Sequence, residues 1–147
     1  MKVLTCLLTA IIVSTVSICQ AQGVEETKLQ PEAVIKNYFD GWARKDWNQV
    51  SRQLAQGFTF TSAAPDDHIS IEDFKEKCWP QAQHIQRFEF PEIIGDMKRA
   101  FAIVHVVTND NRVIRNVEYF TFVDGKIKAI EVFFGGSGYG FPTNIKK

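Results

Sequence analysis

The sequence feature that most constrains the fold is a hairpin near the C-terminal end, at residues 116–135. Two runs rich in β-branched and aromatic residues flank an Asp-Gly pair at 124–125, a pattern typical of antiparallel strands joined by a short turn. A two-residue turn would place Glu118 opposite Glu131, and like charges directly opposite each other are unfavourable. A three-residue turn with its glycine in the left-handed region places Glu118 opposite Ile130 instead. We therefore expect the three-residue turn.

This register sorts the side chains of the hairpin onto two faces. The first face carries one carboxyl group among apolar side chains: Glu118, Phe120, Phe122, Ile130, Val132 and Phe134. The second face carries Tyr119, Thr121, Glu131 and Phe133. A carboxyl group in apolar surroundings holds its proton more tightly, and such groups are candidates for chemistry. The alternative is a glutamate at the rim of the sheet with its carboxyl group in water.

The N-terminal segment 1–21 is predicted to be a secretory signal peptide. Lys2 gives it a positive start, an apolar stretch follows, and small residues at Cys19 and Ala21 occupy the two positions that a signal peptidase reads. The apolar run is short for a membrane span and lacks a charged stop after it. We therefore expect a secreted or periplasmic protein with no stable membrane insertion. Lipid anchoring at Cys19 is less favoured, because Ile18 stands where lipoprotein signals carry a small residue.

Charge and cysteine content narrow the possible partners. The chain has 17 Lys and Arg residues and 17 Asp and Glu residues, so it offers no basic footprint for nucleic acid or an anionic membrane. Removal of the signal peptide leaves Cys78 as the only cysteine, which excludes an internal disulfide. We interpret Cys78 as a buried apolar side chain, since no neighbouring base is evident in the local sequence.

Helical patterns precede strand patterns along the mature chain. After a polar segment at 22–30, expected to be flexible, three helices are predicted: one opening at Pro31, one capped by Asp46 and reaching Leu54, and one capped by Ser70. Strands are predicted at 58–61, 88–94, 101–108 and in the hairpin, and an irregular tail at 137–147. The fold class is therefore α+β, with one domain at 31–136 and helices packed on one face of a curved antiparallel sheet.

The order and spacing of these elements resemble a known superfamily. The segments AVIKNYFDGWARKDWNQV, FTFTS, ISIEDFKEKCW and EYFTFVDGKIKAIEVFFGG are similar to the SnoaL-like branch of the nuclear transport factor 2-like superfamily, and the likeness covers essentially all of the mature chain. It implies a cone in which a curved sheet wraps the first helix and leaves a pocket at the open end. The superfamily includes ketosteroid isomerases, polyketide cyclases, epoxide hydrolases, dehydratases and binding modules, so the fold does not decide the function.

The ketosteroid isomerase pattern offers a comparison of individual residues. Tyr38 and Glu118 match the tyrosine and the uncharged acid that together donate hydrogen bonds to an enolate in those enzymes. The proton-shuttling aspartate of the isomerases corresponds to Ser62 here, and a hydroxyl group with no evident partner cannot replace a carboxylate base. The base is then expected to be His105 or a member of the Asp-Asp-His sequence at 66–68.

His105 shares a strand face with Phe101 and Ile103, and the family comparison turns that face toward the pocket. A histidine facing Glu118 could move a proton, although a buried His–Glu hydrogen bond could equally serve only to satisfy both groups. The acids at 66–68 do not by themselves enforce metal coordination, so no metal and no cofactor are expected. The predicted ligand contacts are Trp42, Ser62, Asp67, His68, Ile103, Phe120, Ile130, Val132 and Phe134.

Two classes of function follow from these residues. The first is an exported small enzyme that binds an apolar or carbonyl-containing ligand and acts by acid–base chemistry, as an isomerase, cyclase or dehydratase. The second is a ligand-binding or dimerisation module without turnover. In either class, Tyr119, Glu131 and Phe133 are expected to form a homodimer interface on the outer face of the sheet, because exposed aromatic side chains beside a charge suit a protein contact.

Overall fold

The computed structural model describes residues 30–62 and 66–135. The predicted signal peptide, nearly all of the predicted flexible segment and the predicted tail lie outside the described residues. The elements run in the order α1 Pro31–Arg44, α2 Trp47–Arg52, β1 Leu54–Thr61, α3 Ile71–Lys77, a 3-10 helix Trp79–His84, β2 Ile85–Gly95, β3 Arg99–Thr108, β4 Val113–Val123 and β5 Lys126–Gly135.

The predicted caps of the second and third helices are confirmed. Asp46 accepts a hydrogen bond from the Gln49 amide at 3.1 Å, and Ser70 Oγ accepts one from the Asp73 amide at 3.2 Å, so each side chain satisfies an amide that the helix leaves unpaired. The prediction that the second helix reaches Leu54 is wrong, because α2 ends at Arg52 and Leu54 begins β1. Pairing of Leu54 with β5 outweighs the local helical pattern.

The five strands form one open, curved sheet in the order β1-β5-β4-β3-β2. The pairs β2–β3, β3–β4 and β4–β5 are antiparallel, as expected. The pair of β1 and β5 is parallel. The parallel edge arises because α3 and the 3-10 helix carry the chain from β1 to the far edge. The meander of four strands then brings β5 back beside β1. The α+β class is therefore confirmed, and the sheet is mixed at one edge.

The turn of the β4–β5 hairpin differs from the prediction. Val123 pairs with Lys126, so the turn has two residues, Asp124 and Gly125, with φ of 50° and 73°. Positive φ at both positions is the mirror-image turn that matches the twist of paired strands. The predicted three-residue turn is wrong.

A β-bulge separates the two glutamates despite the two-residue turn. Thr121 pairs with Ala129 and Phe122 pairs with Ile127, which leaves Lys128 as the additional residue. As a result Glu118 pairs with Val132, rather than with Ile130 as predicted. The register differs from the predicted one by two residues, and a shift of two keeps every side chain on its predicted face.

The two faces of the sheet have different surroundings. The inner face joins the helices in one core, whose largest fully buried side chains are Phe74, Phe120, Ile35, Ile127, Ile130, Val50 and Val104. The outer face leaves apolar side chains exposed on three adjacent strands, namely Phe101, Ile103, Val117 and Phe133. Within the described residues, no helix has the length and apolar character needed to cross a membrane.

Candidate functional site

A cavity of about 330 Å³ opens between α1, the 3-10 helix and the inner face of the sheet. This volume is at the small end of ligand pockets, which span about 300–1,000 Å³. Its walls combine aromatic and aliphatic side chains with a few polar groups. The lining residues are Tyr38, Phe39, Trp42, Phe60, Ser62, Asp66, Phe74, Cys78, Gln81, His84, Ile85, Phe88, Val106, Thr108, Arg112, Ile114, Asn116, Glu118, Val132 and Phe134.

Glu118 is the buried acid of this cavity. It lies on β4 between Ala102 of β3 and Val132 of β5, and only 5% of its surface is exposed. Burial raises the pKa of Glu118 from 4.5 to about 8, and a hydrogen bond from the Asn116 side chain partly opposes the rise. The carboxyl group is therefore protonated at neutral pH and can donate a hydrogen bond.

Tyr38 lies on α1 beside Glu118 and is equally buried. Its pKa is raised well above 10, first by burial and then by the negative charge that Glu118 would carry. Both groups thus favour their neutral forms and present O–H donors to the same cavity. Tyr38 and Glu118 were predicted to converge in one pocket, and they do.

Two buried polar atoms of the described residues lack a hydrogen-bond partner, and both belong to side chains that line the cavity. They are Nε1 of Trp42 and Oδ1 of Asn116. The Trp42 indole opposes the rise in the Tyr38 pKa, so it lies close to the hydroxyl group, but its N–H does not meet hydrogen-bond geometry. Unpaired buried donors and acceptors are rare, because each one forfeits its hydrogen bonds to water.

Ser62, at the position of the isomerase base, contacts a carboxylate after all. Its Oγ donates a hydrogen bond to Asp66 Oδ2 at 3.3 Å, and its amide donates to the Asp66 carbonyl at 2.8 Å. Asp66 is half-buried and lines the cavity. No partner for the Ser62 hydroxyl group was evident from the sequence, and the structure supplies one in Asp66.

Electrostatic effects connect Asp66 with the buried donors along one wall of the cavity. Burial raises the pKa of Cys78 to about 11, and the Asp66 charge contributes to that rise. Cys78 in turn contributes to the raised pKa of Tyr38, which also responds to Glu118. A thiol with so high a pKa is not a nucleophile near neutral pH, which agrees with the apolar role predicted for Cys78.

The predicted placement of His105 and Ile103 inside the pocket is wrong. Ile103 is 38% exposed on the outer face, while Ala102 and Val104 are the buried residues of β3. His105 pairs with Arg115 on the same outer face, on the opposite side of the sheet from Glu118. Alternation showed that His105 and Ile103 share a face, but residues of both faces are apolar, so the pattern did not show which face is buried.

Four other predicted ligand contacts lie away from the cavity wall. Asp67 and His68 are exposed and pair with each other instead of lining the cavity. Phe120 and Ile130 lie on the predicted face but pack in the core, fully buried and outside the lining. The remaining predicted contacts line the cavity: Trp42, Ser62, Val132 and Phe134.

Asn116 is the main site residue that the sequence reasoning missed. It precedes Glu118 by two positions on β4, and alternation in a strand places such residues on one face. That spacing could have identified it. Asp66 was one of the three candidate groups at 66–68, and the local sequence does not show its contact with Ser62. Within the part of the chain that the structure describes, no group of three or more His, Cys, Asp or Glu side chains could hold a metal ion.

Comparison with known proteins identifies the family. The sequence profile of the SnoaL-like domain matches residues 35–130, and the chain belongs to this family. No curated protein matches the chain significantly.

Solved structures share the fold at low sequence identity. A candidate ketosteroid isomerase from Kribbella flavida is 17% identical, with a TM-score of 0.58 over 76% of this chain and 82% of that chain. A protein of unknown function with a cystatin-like fold from Methylobium petroleophilum is 16% identical, with a TM-score of 0.63 over 76% and 80%. A candidate polyketide cyclase from Sinorhizobium meliloti is 18% identical, with a TM-score of 0.56 over 69% and 94%. The architecture is thus that of nuclear transport factor 2-like proteins.

Proposed function

We propose that this protein binds a small carbonyl compound in the cavity and transfers a proton next to the carbonyl group. The observation that carries the proposal is a buried, neutral Glu118 that shares an aromatic-walled cavity with the Tyr38 hydroxyl group. Two O–H donors in an aromatic-walled cavity favour a ligand oxygen that gains negative charge during a reaction. The N-terminal sequence adds the expectation that the protein works outside the cytoplasm.

Asp66 is the group that we assign as the proton acceptor. It takes a proton from the carbon beside the carbonyl group, and the C–H electron pair forms a C=C bond. The carbonyl oxygen becomes an enolate oxygen that accepts hydrogen bonds from Tyr38 and Glu118. Return of the proton to the same or another carbon regenerates Asp66. The hydrogen bond from Ser62 Oγ holds the carboxylate in place.

Deuterium exchange tests this chemistry directly. Acetophenone in D₂O exchanges its methyl hydrogens slowly by itself, and the wild-type protein is expected to accelerate the exchange at least about 100-fold, as a positioned base does. Asp66→Asn should lose this acceleration while still binding acetophenone. Proton NMR of the methyl signal measures the rate, and a thermal-shift titration measures the binding.

Asp67→Asn provides the matched control, because Asp67 is the adjacent exposed carboxylate that does not line the cavity. It should exchange acetophenone at the wild-type rate. Binding without any acceleration by the wild-type protein would reject the enzymatic proposal and leave a binding module. Equal loss of exchange in both variants would show that Asp66 has no specific role.

We also propose that a second copy of this chain covers the outer face of the sheet. Of the predicted contacts, Phe133 is 56% exposed, and Tyr119 and Glu131 are half-buried on the same face. Phe101, Ile103 and Val117 are between 38% and 48% exposed and adjacent to them in register. Acidic side chains on β2 and Arg115 on β4 border this apolar centre, so a two-fold arrangement can pair the apolar centres while the rims carry both signs of charge.

Phe133→Glu is expected to convert the protein to a monomer, because it places a charge in the centre of the proposed interface. Val123→Glu is the control: Val123 is similarly exposed, at 48%, but stands beside the hairpin turn. Light scattering at micromolar concentration should give a dimer mass for the wild-type protein and for Val123→Glu. A monomer mass for the wild-type protein would reject the interface.

A further inference from the structure

The unpaired side-chain oxygen of Asn116 indicates a second requirement for the ligand, in addition to its carbonyl group. Oδ1 of Asn116 is an acceptor without a donor, on a side chain that is 6% exposed and lines the cavity. The amide nitrogen of the same side chain is directed to Glu118, whose pKa it lowers. Among the described residues, Oδ1 finds no donor.

We propose that the ligand carries a hydrogen-bond donor within a few bonds of its carbonyl oxygen, as a carboxamide or a hydroxy-carbonyl compound does. This inference rests on the proposed binding of a carbonyl compound and names its class. The carbonyl oxygen accepts from Tyr38 and Glu118, and the ligand O–H or N–H donates to Asn116 Oδ1. A plain ketone would accept hydrogen bonds from Tyr38 and Glu118 but would leave Asn116 Oδ1 without a donor.

The strand geometry places the two contacts at a suitable separation. Asn116 and Glu118 are two residues apart on the same face of β4, so their Cα atoms are about 6.5 Å apart. The Asn116 side chain lowers the pKa of Glu118, so the functional ends of the two side chains lie close together. A donor one or two atoms from the carbonyl carbon can therefore reach Asn116 while the carbonyl oxygen stays near Glu118. The indole N–H of Trp42 adds a further donor for a second ligand oxygen or π face.

Acetophenone and benzamide form a matched pair of probes for this inference. They have nearly the same shape, but benzamide has an NH₂ group where acetophenone has a methyl group. Calorimetric titration at pH 6 should show the wild-type protein binding benzamide at least tenfold more tightly, because acetophenone leaves a buried acceptor unpaired. In Asn116→Leu, which removes that acceptor, the ratio of the two dissociation constants should fall to about one.

The outcomes separate this inference from the function on which it rests. Equal affinity of the wild-type protein for the two probes overturns the donor requirement and leaves carbonyl binding intact. Binding of neither probe overturns both proposals. If Asn116→Leu does not fold, Asn116→Ala replaces it as the variant without the acceptor, and the wild-type ratio still tests the donor requirement. An unchanged ratio in a folded Asn116 variant assigns the preference to another group and overturns the role of Asn116.

Discussion

Replacing Glu118 with glutamine is expected to abolish the pH dependence of ligand binding above pH 7. In the wild-type protein, Glu118 donates a hydrogen bond only in its protonated form, and its pKa is raised to about 8 by burial. Affinity for acetophenone should therefore be constant near pH 6 and fall about tenfold by pH 9. Glutamine keeps the shape and an N–H donor at every pH, so the variant should bind with the same affinity at pH 6 and pH 9.

Two buried neighbours of Glu118 in the cavity do not obscure this titration. Tyr38 and Cys78 have pKa values raised well above 10 and to about 11, so both stay protonated up to pH 9. Calorimetric titrations at half-unit intervals measure the profile. Glu131→Gln is the matched control, since Glu131 lies on the outer face opposite Tyr119, and it should retain the wild-type profile. A flat wild-type profile would exclude Glu118 as the donor.

Glu118→Leu separates the polar contact from the shape of the cavity. Leucine fills a similar space but donates no hydrogen bond, so acetophenone affinity at pH 6 should fall at least about tenfold, the cost of one buried hydrogen bond to a developing or partial charge. The variant should still fold, because an isolated buried acid contributes little to the stability of the domain. Undiminished affinity would mean that the ligand oxygen lies elsewhere.

The hairpin shows how far the sequence determines this fold. The repulsion between Glu118 and Glu131 correctly excluded their pairing, and the distribution of side chains between the faces followed. The β-bulge that separates the two glutamates could not be predicted, because it depends on the contacts of Lys128. The Lys128 ammonium group donates to the carbonyl oxygens of Gln56 and Gly57 at 3.0 and 2.6 Å. Those acceptors are about seventy residues away, and local propensity carries no information about them.

The candidate site shows the same division between local and long-range information. Tyr38 and Glu118 could be assigned to the site because each stands at a fixed position in a regular element. The family resemblance implied that the two side chains share one pocket. His105 could not be placed, since alanines and valines make the inner face of β3 as apolar as the outer face. The contact between Asp66 and Ser62 lies outside the regular elements, so no periodicity could predict it.

The stability of the folded protein is expected to decrease as the pH rises from about 4.5 to about 8. The pKa of Glu118 is about 8 in the folded chain and 4.5 in the reference state that represents the unfolded chain. In this window the folded chain keeps a proton that the unfolded chain has lost, so each unit of pH favours unfolding. At about 1.4 kcal/mol per pH unit, the total loss is on the order of 5 kcal/mol, a large share of the stability of a small domain.

Other carboxyl groups act in a different window and with the opposite sign. Hydrogen bonds lower the pKa values of Asp40, Asp96 and Asp110, so these groups contribute stability above the ordinary carboxyl range and lose it as the pH falls below about 4. A decrease in the stability of the folded protein between pH 5 and pH 8 therefore indicates a buried acid and not these surface groups.

Urea unfolding of the wild-type protein, Glu118→Gln and Glu118→Leu at pH 5 and pH 8 measures this effect. Both variants lack the ionisable group, so neither should lose stability through it. From pH 5 to pH 8, the unfolding free energy of each variant should therefore rise by a few kcal/mol relative to that of the wild-type protein, given a carboxyl group with a pKa of about 8. At pH 8, Glu118→Leu should be more stable than the wild-type protein. The wild-type protein must either bury a charged carboxylate or keep Glu118 protonated at a pH where the unfolded chain has lost that proton. If the difference between wild-type and variant stability is the same at pH 5 and pH 8, Glu118 ionises in water, and the neutral donor on which carbonyl binding depends does not exist.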